Sequence, residues 1–153
     1  TSPFITTDDW YHYINSVTPD SLKYFLRESF EEITLYENRA LEATYNTQPD
    51  ANGKFLVTLK VDTKKIIYEG SGEEKSRPTE PSLIEIGVFA ADGYNEQGLV
   101  EKQPLFLEKR WLTPGEHVIE ILVDEAPVKA GIDPYNKLID RISDDNLVDV
   151  DAE

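Results

Sequence analysis

The sequence predicts a mainly β domain: an antiparallel, immunoglobulin-like β-sandwich of six to eight strands, preceded by two N-terminal α-helices. Three observations carry this. Apolar residues recur at helical spacing through the first thirty-three residues. From about residue 34 the apolar period changes to two. Clusters of Pro, Gly, Asn and Asp then interrupt the alternating runs at short intervals, as short antiparallel strands require.

The first helix follows from Trp10, Tyr13, Ile14 and Val17, which fall at i, i+3, i+4 and i+7. Thr6 and Thr7 before Asp8 and Asp9 supply a cap and favourable first-turn charge. The second helix has Thr18 as its cap, Pro19 at the first helical position and Asp20 in the first turn. Its apolar face is Leu22, Phe25, Leu26, Phe30 and Ile33, opposite Lys23, Arg27, Glu28, Glu31 and Glu32. Strands are expected at residues 39–45 and 65–68. Phe55, Val57, Leu59 and Val61 define another, Ile84, Ile86 and Val88 a further one, and Ile119, Ile121 and Val123 one more. Residues 105–112 read as a strand with apolar groups on both faces. Thr113-Pro114-Gly115-Glu116 places Pro and Gly as a type II turn needs them and is expected to close a hairpin. Residues 70–82 and 92–103 are polar and read as mobile surface loops. The chain thus divides into a helical segment packing on the sandwich (1–33), the sandwich (34–134) and an acidic segment (135–153). In that last segment residues 135–142 could form one or two helical turns, and the end frays.

At 153 residues the chain suits one domain with a proper core. It carries 30 acids against 15 bases, a net charge of −15. That field repels nucleic-acid phosphates and anionic lipid head groups. Because the acids are spread along the chain, solubility is the simpler reading, ahead of a surface for cations or a basic partner. No apolar run approaches the roughly 20 residues that span a bilayer, and no secretory leader is evident in the first seven residues. The absence of Cys excludes disulfides and thiol chemistry. The absence of Met is expected of a processed or excised piece of a larger protein.

Catalytic constellations are not legible. A helical zinc-peptidase motif needs two His one turn apart with a Glu beside them. His12 and His117 are the two His of the chain, and both read as structural. Ser71, between Gly70 and Gly72, lacks the apolar strand-to-helix setting of a nucleophile elbow, and Gly70-Ser71-Gly72 runs into acids and Pro78, unlike a phosphate loop. Carboxylate pairs abound without an aromatic cleft. The tail acids Asp144, Asp145, Asp149 and Asp151 lack the mid-loop Gly and closing Glu of a twelve-residue calcium loop. The aromatics Tyr24, Phe25, Phe30, Tyr36, Phe89 and Trp111 read as core rather than as a ligand platform.

Three stretches carry a resemblance. The first is Pro19-Asp20-Ser21-Leu22-Lys23-Tyr24-Phe25, with Ile33-Thr34-Leu35-Tyr36-Glu37-Asn38-Arg39 and Ala43-Thr44-Tyr45. The second is Ile84-Glu85-Ile86-Gly87-Val88-Phe89. The third runs from Lys129-Ala130-Gly131-Ile132-Asp133-Pro134-Tyr135-Asn136 to Asp144-Asp145-Asn146. Together they resemble the extreme C-terminal region of large Bacteroidetes-type proteins that fuse an ABC-transporter permease to an aminopeptidase-N-like zinc metallopeptidase. The resemblance implies a non-catalytic accessory domain of a membrane-anchored parent. This domain would be extracytoplasmic, in the periplasm, and would have no cofactor of its own. Zinc would sit only in the parent's catalytic part, which would also be the partner. The alternative is a free-standing cell-surface module that binds carbohydrate or protein. No catalytic or metal-binding residue is assigned. The candidate docking surface is Asp133, Tyr135, Asp140, Arg141, Asp144, Asp145 and Asn146, on a segment whose apolar stripe would seal one end of the domain.

Overall fold

The structure is a computed structural model, and it describes residues 4–90 and 104–153. Two helices, α1 (Thr7–Val17) and α2 (Lys23–Phe30), are joined by a 3₁₀ turn at Asp20–Leu22. Nine strands follow among the described residues: β1 (Ile33–Tyr45), β2 (Phe55–Tyr68), β3 (Glu74–Ser76), β4 (Ser82–Phe89), β5 (Phe106–Leu112), β6 (Gly115–Val123), β7 (Lys129–Ile132), β8 (Leu147–Asp149) and β9 (Asp151–Ala152). The count exceeds six to eight because β3, β8 and β9 are too short to show a period in sequence. The fold is therefore mainly β, with two helices and two open sheets.

Sheet A runs β3-β2-β1-β9, and β6 also pairs with β2. Sheet B runs β5-β4-β7-β8. All ladders are antiparallel except the short parallel contact of β1 with β9. Inward positions of both sheets meet in one apolar cluster. Val57, Leu59 and Val61 of β2 and Ile121 and Val123 of β6 lie in it with Ile84, Ile86 and Val88 of β4 and Ile132 of β7. Their spacing by two puts them on one face of each strand, and burial of such side chains supplies roughly 1.5–3 kcal/mol each.

Several expectations change in physical detail. The Pro114-Gly115 corner closes no hairpin: β5 pairs with β4 in sheet B, whereas β6 pairs with β2 in sheet A. Gly115 takes φ +116°, and the corner hands the chain from one sheet to the other. The expected strands at 39–45 and 65–68 are the ends of two long strands. β1 begins at Ile33, because Thr34, Tyr36 and Asn38 occupy its inward positions and hide the apolar alternation. A shift in its register with β2 between Ala40 and Glu42 marks a bulge. β4 is buried on both faces, since residues 133–138 cover its outer side. Pro134 lies where a Cβ on Gly87 would reach, and the Tyr135 ring meets Phe89 edge-on at 6.2 Å. Residues 135–142 form no helix, and parts of the tail are paired in strands. β8 pairs with β7, and β9 pairs with β1. The expected loop at 70–82 contains β3, while the one at 92–103 lies outside the described residues.

Candidate functional site

The segment after β7 is held inward by its polar groups. Asp133 is buried at φ +43°, and its backbone N–H donates to the Glu85 carbonyl at 2.7 Å. Its carboxylate accepts from the N–H groups of Lys137 and Leu138, both at 3.0 Å, so it organises the turn that follows. Burial pushes this carboxyl above the usual carboxylate range, against the two N–H donors that pull it down. Lys137 Nζ reaches across to Glu85 at 2.7 Å. The chain then runs beside β1. Tyr36 N–H donates to the Ile139 carbonyl at 2.9 Å, and Arg141 N–H donates to the Tyr36 carbonyl at 3.0 Å. Asp140 turns its carboxylate onto the backbone N–H groups of Asn38 (2.8 Å) and Ile142 (3.0 Å).

The outward docking role expected of this segment is therefore corrected for Asp133, Asp140 and Asn146. Asp133 and Asn146 are buried, and the Asp140 oxygens bond the protein's own backbone. Arg141 Nη1 donates to Glu37 (2.8 Å) and to the Tyr68 hydroxyl (3.2 Å), tying the segment to β1 and β2. Asp145 pairs with Arg39 at 3.4 Å, and burial raises its carboxyl above the usual range despite that cation. Tyr135 and Asp144 are exposed. The structure thus brings all of the expected residues but Asp144 into internal contacts, Tyr135 through its ring against Phe89.

The segment's apolar stripe seals nothing at Ile139 and Ile142, which are exposed, and further exposed apolar side chains lie on the helices. The Thr6 side chain and Asp9 form a reciprocal capping box at the start of α1, so the helix end is satisfied locally. Yet α1 buries none of its residues and α2 buries only Leu26. Tyr13, Val17, Leu22, Phe25 and Phe30 all face solvent, and Tyr13 is 68% exposed. Trp10 meets Phe30 edge-on at 5.2 Å, so the two helices share an aromatic contact at this surface. The expectation that these aromatics form core is corrected for Phe25, Phe30 and Trp111, which are 55%, 56% and 56% exposed.

An anchor that the sequence did not disclose fixes α2 to sheet A. Lys65 Nζ donates to Glu28 Oε1 at 2.8 Å, with side-chain exposures of only 6% and 10%. The Tyr36 hydroxyl donates to the other Glu28 oxygen at 3.1 Å, and burial pushes its pKa far up. One signal was present: Lys65 shares inward parity with Val57, Leu59 and Val61. Its partner thirty-seven residues away carried none. Beside this anchor lies a groove of about 630 Å³ lined in part by Tyr24 and Trp111, whose rings are in contact at 5.8 Å between centroids. Arg27, Glu32 and Glu80 line it further.

His12 is exposed on α1, and His117 Nε2 lies 2.7 Å from the Thr113 carbonyl oxygen at the corner before β6. Among the described residues no group of three or more His, Cys, Asp or Glu could hold a metal ion, and no helix is long and apolar enough to cross a membrane. Fold and surface together define a mainly β domain with a bare helical face. No family model matches the chain, and neither a curated protein nor a solved structure is similar to it.

Proposed function

We propose that this chain is a non-catalytic accessory domain, a β-sandwich that docks through its helical face onto the remainder of a larger polypeptide. One observation carries the reading: α1 and α2 display Tyr13, Val17, Leu22, Phe25 and Phe30 to solvent on one short stretch of chain. Exposed apolar side chains grouped in this way mark an interaction surface. The buried Glu28–Lys65 pair holds α2 in place while leaving this face outward. Following the resemblance of the three stretches above, the body it covers is an aminopeptidase-N-like catalytic region of a membrane-anchored transporter fusion, and the domain itself is periplasmic. The zinc chemistry belongs to that region and not to this chain.

The test is photo-crosslinking in the longer polypeptide that the reading requires. A benzophenone amino acid at Phe25 or Tyr13 is expected to capture peptides from outside residues 1–153. Capture confined to these residues overturns the reading. So does an open reading frame that joins this chain to neither a peptidase nor a membrane-spanning region.

The groove beside Trp111 favours a second reading, a module that binds carbohydrate on a cell surface. An exposed indole with Arg27 and Glu80 nearby offers a stacking face and polar partners. Binding on a glycan array that disappears in Trp111→Ala would support it over the first reading.

A further inference from the structure

An open sheet ends in edges, and an edge strand presents backbone N–H and C=O groups without partners. The edges here are handled unequally. The outer side of β1 is covered by β9 at Thr44 and Tyr45 and bridged at Tyr36 by Asp140. β3 and β8 are three residues long. β5 carries Glu108, Lys109 and Arg110 in succession, a charged run that blunts pairing. β6 has none of these devices. It runs for nine residues in unbroken register with β2, and it contains no Lys, Arg or Pro. Among the described residues β2 is its only strand partner.

Its outward side chains add a chemical preference. Glu116, Val118, Glu120 and Leu122 alternate outward, with Val118 66% and Leu122 50% exposed. Leu56 of β2 stands opposite Leu122 and is exposed as well. Glu116 pairs with Lys60 at 3.1 Å, whereas Glu120, opposite Thr58, has no ion pair among the described residues.

We propose that β6 is a strand-addition site that takes from another protein an extended segment in which basic and apolar residues take turns at every second position, so that both kinds lie on one face. Main-chain hydrogen bonds would set its register. Its apolar side chains would lie against Val118 and Leu122, and its basic ones would meet Glu120 and Glu116 across the pair. A second copy of this chain is the poorer occupant. It would bring another body of net charge −15 and repeat the same glutamates. This proposal is independent of the helical face, which lies on other elements.

The probe is a capped peptide in which lysine and valine alternate at the odd positions with threonine between them, matched to the nine residues of β6. The control has the same charge with proline in place of each valine, so it cannot donate a ladder. The isotope-labelled chain is titrated at about 0.15 M ionic strength, where exposed charges are screened beyond about 8 Å. Binding is expected to slow amide exchange at alternate residues of β6 and to leave α1 and β8 unchanged. Val118→Lys with Leu122→Lys should weaken binding about ten-fold or more, since it removes the apolar contact and adds like charge. Both positions are exposed, and an unchanged thermal melt verifies the fold. Equal binding of the proline control overturns the proposal. So do shifts that map to the acidic tail instead of β6, no binding at about 1 mM peptide, or protection of β6 by self-association without peptide.

Discussion

Replacing Glu28 by Ala removes the counter-charge that α2 brings to sheet A. In the native protein the Lys65 ammonium is 2.8 Å from Glu28 Oε1, and the Tyr36 hydroxyl is 3.1 Å from Oε2. Both charged side chains are nearly out of solvent. The variant strands the ammonium without an anion, and removing one partner of a buried pair costs about 3–5 kcal/mol. That is a large share of the about 5–15 kcal/mol by which domains are stable. α2 has little else to hold it: Leu26 is its one buried residue, and Tyr24 leans on Trp111. Urea unfolding is expected to report the loss, and amide exchange should accelerate in α2 before it does in β4. The double variant Glu28→Leu/Lys65→Met should recover most of the loss, because well-packed apolar side chains replace a buried ion pair at little or no cost. A single-variant loss below about 1 kcal/mol, the value of an exposed pair, would refute the reasoning. A double variant no better than the single would refute it too.

Four further variants probe β7 and the segment after it. A Cβ on Gly131 would overlap the Asn146 carbonyl oxygen, so Gly131→Ala must push β8 from β7; a loss at or beyond the upper end of about 1–3 kcal/mol is expected in thermal melts. Asp140→Ala strands the Asn38 and Ile142 N–H groups and should cost about 1–3 kcal/mol for each one left unsatisfied, while Arg141→Ala breaks a half-exposed pair and should cost within about 1 kcal/mol by the same urea titration. Burial holds the folded Asp133 carboxyl above its ordinary value of 3.8, so the folded state takes up its proton first as pH falls. Stability from this group therefore rises as pH drops through the raised pKa towards 3.8 and is lost again as pH rises. The stability of wild type relative to Asp133→Asn should rise on moving from pH about 7 to about 4; a fall contradicts the assigned direction.

The legible part of the fold was the part whose outer and inner faces differ in polarity. Val57, Leu59 and Val61, and Ile119, Ile121 and Val123, announce their strands because one side must leave water and the other stays in it. The first helix was legible from cap and period, and Thr6 with Asp9 makes the capping box that their order allows; the second starts at Lys23 and not at Pro19, and the Thr18 hydroxyl expected to cap it donates instead to the Ile14 carbonyl at the end of α1. What those helices do was not legible. An apolar stripe looks the same whether it turns into a core or faces outward, and here most of it faces outward.

The acidic segment was misread for a related reason. Asp133, Asp140 and Asn146 are polar types that usually sit in water, yet each satisfies or borders backbone groups that strand pairing leaves open. Such partners are set by position in space. Asp140 meets Asn38 across 102 residues, and Arg141 meets Glu37 across 104. By itself the sequence determined where the two helices and the longer strands lie, because period and capping are local and each residue carries them. Only the tertiary structure decided which sheet each strand joined, that Pro114 and Gly115 pass the chain between sheets, and that Glu28 finds Lys65. Those choices depend on backbone hydrogen bonds and charges meeting across long stretches of chain, and no local pattern encodes a distant partner.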